Sequence, residues 1–140
     1  MILDQISVFV ENKLGALADV TTQLSKAGID FKAFTVADTA EFGILRFIVN
    51  EPKKALTLLK LNGWVATLTP VVAVEMEDAP GSLAKILEML SGNSVQVEYM
   101  YAFVAKGEGR AYVVFRVADP AAASALLEAS GFVTSASIAN

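Results

Sequence analysis

The sequence contains neither cysteine nor histidine. Without cysteine there is no disulfide framework and no thiolate nucleophile. Without histidine as well, the usual ligands of zinc, copper and haem iron are missing, together with the commonest general base near neutral pH. Serine–histidine and cysteine–histidine nucleophile systems are therefore excluded, no enzyme activity is expected, and no metal or other cofactor is expected. Positive charge is also scarce: 11 Lys and Arg against 15 Asp and Glu leave a net charge of -4. The cations are scattered singly, so the chain lacks the basic footprint that phosphate backbones require, and nucleic acid is not an expected partner. Long apolar runs are absent too; none approaches the roughly 18 residues needed to cross a bilayer. The opening residues Met1-Ile2-Leu3-Asp4-Gln5 have no basic stretch and no small-residue cleavage site, so no signal peptide and no membrane partner are expected, and the location is expected to be cytoplasmic.

What the sequence has instead is apolar content, 54% of 140 residues, with a mean hydropathy of +0.52. Short interrupted runs of this kind belong to a core and to a subunit interface. The sequence is also repeated. Val8-Phe9-Val10-Glu11-Asn12-Lys13-Leu14-Gly15-Ala16-Leu17-Ala18 lies over Val74-Glu75-Met76-Glu77-Asp78-Ala79-Pro80-Gly81-Ser82-Leu83-Ala84 at a shift of 66 positions. The same shift pairs Val20 with Ile86, Leu24 with Leu90, Ile29 with Val95 and Phe31 with Val97; a shift of 68 then pairs Pro52 with Pro120 and Gly63 with Gly131. The two extra residues fall at Lys106-Gly107-Glu108-Gly109, a turn-like cluster where a hairpin can lengthen without disturbing its strands.

Each copy reads in the same order. Alternation at Ile6, Val8 and Val10, and at Val72, Val74 and Met76, makes a strand with one apolar face. Leu17, Val20, Leu24 and Ala27, like Leu83, Ile86, Leu87 and Leu90, recur at helical steps, and Gly28 stands where a helix C-cap is wanted. Strands over 29–37 with 43–49, and over 95–104 with 110–117, are rich in β-formers and read as hairpins. Glu51-Pro52 and Asp119-Pro120 open a second helix that closes at Gly63 or Gly131. A last strand follows, Trp64 to Leu68 or Phe132 to Ser137. The order βαββαβ predicts an α+β fold: two tandem ferredoxin-like modules, 1–69 and 70–140, each an antiparallel sheet with both helices on one face. The other sheet face needs a cover, which argues for a homodimer.

Chemistry concentrates where the first strand hands over to the first helix. Glu11-Asn12-Lys13-Leu14-Gly15 and Glu77-Asp78-Ala79-Pro80-Gly81 are short turns ending at a helix N-terminus. Backbone N–H groups without helical partners, with the positive end of the helix dipole, suit a carboxylate there, and glycine lets a ligand come close to the backbone. Asn12 and Asp78 also read simply as turn or cap residues.

Asn-x-x-Gly followed by an aliphatic residue at the end of strand one, then Gly-Ile-Asp-Phe opening strand two, in a duplicated βαββαβ frame, resembles the ACT family over about residues 5 to 136. The segments Ala37-Asp38-Thr39-Ala40-Glu41-Phe42-Gly43-Ile44-Leu45-Arg46 and Glu98-Tyr99-Met100-Tyr101 resemble stand-alone tandem members with no catalytic domain attached. The resemblance implies a regulator of amino acid metabolism that binds a free amino acid at a domain interface. It implies ligand contacts from Asn12, Leu14, Gly15, Ala16, Leu17 and Asp30, with Asp78, Pro80, Gly81, Ser82, Leu83 and Gln96 as second-copy equivalents. Backbone N–H groups near Gly15, Ala16 and Leu17 would take the carboxylate, the Asn12 amide would orient the ligand and Asp30 could meet its ammonium. Leu14 stands where the family has proline and Val10 where serine-sensing members have histidine, so serine is not the expected ligand. Asp78 puts a negative charge where Asn12 has none, which favours the first-copy loop for a carboxylate.

Other readings stay open. Tyr99, Tyr101 and Phe103 suit either an aromatic-lined pocket or a buried sheet face. Arg46 suits a bidentate carboxylate contact or a solvent-facing position. The chain as a whole suits a sensor acting through a partner enzyme, transporter or transcription factor, or a purely structural assembly subunit that binds no small molecule.

Overall fold

The computed structural model describes residues 1–38, 41–104 and 109–134. In chain order its elements are β1 (Ile2–Glu11), α1 (Ala16–Lys26), β2 (Phe31–Asp38), β3 (Phe42–Val49), α2 (Pro52–Leu61), β4 (Val65–Glu77), α3 (Ser82–Gly92), β5 (Tyr99–Val104), β6 (Arg110–Arg116) and α4 (Pro120–Ala129). They form two compact units. The first is Asp4–Thr69; the second joins Met1–Leu3 to the chain from Pro70 onward. Strand β1 is hydrogen-bonded to β3 and β4, and β6 to β4 and β5. The hairpins β2/β3 and β5/β6 and the pairs β1/β3 and β4/β6 are antiparallel, so the α+β class and the duplicated βαββαβ order stand as expected.

The apolar periodicities become the two cores. In the first unit Ile6, Val8 and Val10 of β1 meet Val20 and Leu24 of α1, Leu45 and Phe47 of β3, and Ala55 and Leu59 of α2. In the second, Val72 and Val74 meet Ile86, Leu90, Val113, Phe115 and Leu127. A core of this size contributes on the order of 25 cal/mol for each Å² of apolar surface removed from water. The repeat is also written in the backbone: Gly63 and Gly131 have φ of 84° and 87°, and each is followed by the same closing bond, Trp64 N to Leu59 O and Phe132 N to Leu127 O, both 3.0 Å.

Four expectations are refined. Strand β2 starts at Phe31 rather than 29 and β5 at Tyr99 rather than 95, because the residues after each helix are engaged in closing it: Ile29 N donates to Leu24 O at 3.1 Å and Val95 N to Leu90 O at 2.9 Å. The last strand of copy one and the first of copy two are one continuous strand, β4. Pro70 sits inside it at an exposed position, where its fixed φ is compatible with extended chain. The expected strand from Phe132 is seen as a bridge between Val133 and Glu75, and residues 135–137 lie outside the described residues. So do Lys106-Gly107-Glu108 of the insertion and Thr39-Ala40; Gly109 is described, with φ 61°. Met1 belongs to the second unit, where its carbonyl accepts from Ala73 N at 2.9 Å and its α-amine donates to Ser124 Oγ at 3.2 Å. Burial pushes that amine below its ordinary pKa, with Glu128 pulling the other way.

Candidate functional site

The two handover loops share one hydrogen-bond pattern. In the first, Asn12 N donates to Glu41 O (3.2 Å), Ala16 N to Lys13 O (3.3 Å) and Asp19 N to Gly15 O (2.9 Å). In the second, Asp78 N donates to Gly109 O (2.8 Å), Ser82 N to Ala79 O (3.2 Å) and Lys85 N to Gly81 O (3.1 Å). Gly15 (φ 86°) and Gly81 (φ 88°) make the turn in the left-handed region, which any residue with a Cβ enters at a cost. No side chain caps either helix start. The amides of Leu17 and Ala18, and of Leu83 and Ala84, meet no backbone acceptor among the described residues, the ordinary condition of a first helical turn. Each loop therefore presents N–H groups and the positive dipole end to an incoming anion.

The structure brings Asn12, Leu14, Gly15, Ala16 and Leu17 together at one end of the first unit, and Asp78, Pro80, Gly81, Ser82 and Leu83 at the corresponding end of the second. Asn12, Leu14, Gly15 and Leu17 are exposed while Ala16 is buried; Leu14 protrudes completely, at 104% relative exposure. Asp30 and Gln96 are not beside these loops. Glu11 pairs with Phe42, whereas Phe31 pairs with Val49 at the far end of β3. Seven strand steps, about 23 Å at 3.3 Å each, separate the two ends. Gln96 stands beyond the Tyr99–Arg116 pair, while Asp78 follows the Glu77–Arg110 pair. Asp30 is also engaged locally: its N–H donates to Asn50 Oδ1 at 3.0 Å and its carboxylate holds Lys32 Nζ at 2.8 Å.

Beside each loop lies a cleft, and the two clefts occupy equivalent positions of the repeat. The first, about 380 Å³, has Phe9, Phe42 and Trp64 as its aromatic wall and Glu11, Lys13 and Asp19 as its charged rim. Trp64 is held in place by its indole N–H, which donates to Gln23 Oε1 at 2.9 Å; Glu11 and Lys13 pair at 3.1 Å. The second, about 260 Å³, has Glu75, Glu77, Lys85, Arg110 and Phe132 in the matching places, with Arg110 paired to Glu75. The aromatic strand face of the second copy is packed: Tyr101 is buried and Phe103 stacks on Tyr112 at 5.2 Å. Arg46 is half-buried, opposite Ser7 and Thr35.

The model of one protein family, described as an ACT domain pair, matches residues 1–139. The chain belongs to the ACT domain pair family. Among solved structures this ACT pair is similar to protein BT0572 from Bacteroides thetaiotaomicron, with 37% identity, a TM-score of 0.92, and coverage of 100% of this chain and 97% of the other. It is similar in fold to the regulatory subunit of aspartate kinase from Thermus thermophilus, in a ligand-free form, at 19% identity and TM-score 0.66, covering 91% and 92% of the two chains. The corresponding subunit from Thermus flavus has 18% identity and TM-score 0.61, with 91% of each chain covered. Among curated proteins the comparison found no match.

Several cleft residues of this ACT pair escape a reading of the loop motif alone. Phe9, Asp19, Phe42 and Trp64, with Lys85 and Arg110 in the second copy, come from elements on either side of the loop. Their signal was present in the repeat, where Asp19 aligns with Lys85 and Phe42 with Arg110: matched positions with opposite chemistry. Among the described residues no group of three or more Asp and Glu is placed to hold a metal ion, and no helix is long and apolar enough to cross a membrane.

Proposed function

We propose that this ACT pair is a regulatory sensor that binds a free amino acid at its first β–α loop and acts through a partner enzyme, transporter or transcription regulator. The observation that carries the reading is the Gly15 turn: among the described residues it leaves the Leu17 and Ala18 amides without a backbone acceptor, beside a cleft roomy enough for an amino acid. The ligand carboxylate meets those N–H groups, with the Asn12 side chain to orient it. Glu11 and Asp19 are the acids nearest the ammonium within one copy. The aromatic wall of Phe9, Phe42 and Trp64 favours a sizeable apolar side chain over a small polar one. The similarity in fold to regulatory subunits of aspartate kinase supports a regulatory role, and the family supports an amino acid as ligand.

Asn12 and Asp30 lie at opposite ends of one sheet, so a ligand that touches both requires a second copy of the chain. We therefore place the complete site at a homodimer interface, which also explains why Leu14 protrudes fully into solvent. A sensor must release its ligand, so the affinity expected is micromolar to millimolar, roughly -8 to -4 kcal/mol. Calorimetric titration against the twenty amino acids tests this directly. At least one should bind, and Asn12→Ala should weaken it; uniform absence of heat from folded protein would favour the assembly-subunit reading.

A further inference from the structure

Strand β2 is a terminal strand of the sheet among the described residues, and its free edge is apolar. Asn12 N donates to Glu41 O, so by the alternation of an antiparallel ladder the odd-numbered residues of β3 turn their backbone groups to β1 and the even-numbered ones to β2. Asn50 N, which donates to Asp30 O, follows the same rule. Thr35 pairs with Arg46 and Ala37 with Ile44, so these two face β3, and Phe34 and Val36 turn their N–H and C=O groups outward. Both side chains are exposed, at 67% and 45%, on the face where their ladder partners Phe47 and Leu45 join the core. Free edges are ordinarily guarded by a charge, a proline or a bulge. From Phe34 to Ala37, β2 has none of these.

The edge is complementary to itself. Outward-turned residues must meet outward-turned residues, so a two-fold pairing of β2 with β2 of a second chain has its axis, near the strand centre, at Phe34, Thr35 or Val36. An axis at Phe34 sets Val36 against Lys32, and an axis at Val36 sets Phe34 against position 38, an aspartate; each puts an apolar residue against a charge. An axis at Thr35 matches every pair: Phe34 meets Val36 twice, Ala33 meets Ala37, Thr35 meets Thr35, and Lys32 meets the aspartate position 38. Aromatic with β-branched, threonine with threonine and opposite charges are the cross-strand pairs that stabilise a ladder. The second copy of the repeat does not match this edge. Its β5 has Met100 and Ala102 at the outward positions, and Tyr101, in the place of Thr35, is buried. Pairing β2 with β5 in the same register sets aspartate position 38 against Glu98.

We infer that two chains associate through β2 of the first copy, strand to antiparallel strand, with Thr35 on the two-fold axis and the β5 edge outside the contact. This interface rests on the homodimer reading of the proposed function and names its surface. In this register the start of one β2 lies beside the end of the other. Asp38 pairs with Gly43, and Gly43 with Val10, so Asp30 of the second chain comes to the end of the sheet where Asn12 stands, the residue that a single chain cannot bring there.

The chain contains no cysteine, so one introduced thiol reads the register. Across an axis at Thr35 the two Cα atoms stand about 4.5 Å apart, within reach of a disulfide. Thr35→Cys should therefore form a covalent dimer under mild oxidation, seen on a non-reducing gel. Ala102→Cys, exposed on the β5 edge, should not. Phe34→Lys, also at an exposed position, should weaken association by at least about tenfold in sedimentation velocity, because each chain loses its contact with Val36 and gains a charge on the edge. A Thr35→Cys chain that stays uncross-linked while the wild-type chain sediments as a dimer would overturn the inference. So would equal cross-linking through Ala102→Cys, a dimer unmoved by Phe34→Lys, or a monomeric wild-type chain. The sensor reading fails separately: a Thr35→Cys cross-link in a protein that binds no amino acid keeps the interface and removes the sensor, whereas amino acid binding by a dimer that Thr35→Cys does not trap does the reverse.

Discussion

Ser94 holds, with φ 61°, the left-handed position that Gly28 holds with φ 76° in the first copy. A residue with a Cβ in this region costs roughly 1–2 kcal/mol, and the flexibility of glycine in the unfolded chain returns part of that. Ser94→Gly should therefore stabilise the protein by about 0.5–1 kcal/mol in urea unfolding, and Gly28→Ser should destabilise it by a similar amount. A neutral Ser94→Gly would mean that the second copy relaxes the strain in another way. Gly28 was readable from the sequence as a cap because glycine advertises that role. Ser94 was not, since serine is common in many conformations; only the alignment of the copies marks its place.

The helices divide cleanly into buried and exposed faces. Leu24 is fully buried in the first core, whereas Leu61, at 80% relative exposure, reaches solvent from the end of α2. Leu24→Ala should cost about 2–5 kcal/mol and Leu61→Ala less than about 0.5 kcal/mol, measured by denaturant midpoint. Equal costs would contradict the assigned faces. The two Pro-started helices differ at their caps: Asp119 accepts from Ala122 N, while the Glu51 side chain makes no such bond. Asp119→Ala should accordingly cost about 1 kcal/mol, and Glu51→Ala less. At this scale most of the fold was legible, because stripes such as Val20-Leu24 and alternation such as Ile6-Val8-Val10 are direct consequences of burying one face. The sequence starts these two strands too early, at 29 and 95, because Ile29 and Val95, which close a helix, are as β-branched as residues that begin a ladder. The fusion of two expected strands into β4 was hidden by Pro70, which punctuates sequence more often than it continues a strand.

For the whole molecule, the repeat gave two βαββαβ units, and the family assignment agrees with it. The candidate site is legible only in part. A short motif, Asn12 to Leu17, marks a helix start, and the structure gathers those residues at one sheet end. The resemblance groups Asp30 with them, yet β-sheet register puts it about 23 Å away along its own strands, a separation that no spacing in sequence reveals. The proposed site therefore needs two chains, and sedimentation velocity should find a dimer; a monomer at the concentrations where ligand binds would contradict that arrangement. Under the proposed function, a signal to a partner would take the form of a population shift, the ligand favouring the association that completes its site.

The most direct test of the proposed sensor function is calorimetry of the twenty amino acids against the wild-type chain, Asn12→Ala and Asp30→Ala. The expected result is a micromolar to millimolar heat for at least one amino acid with a sizeable apolar side chain, weakened by about tenfold or more in each variant through loss of polar contacts. Mixing the two variants should restore part of the binding, because one mixed dimer retains an intact Asn12 opposite an intact Asp30. Binding that is indifferent to both substitutions, or no binding to any amino acid by the folded chain, would contradict the account.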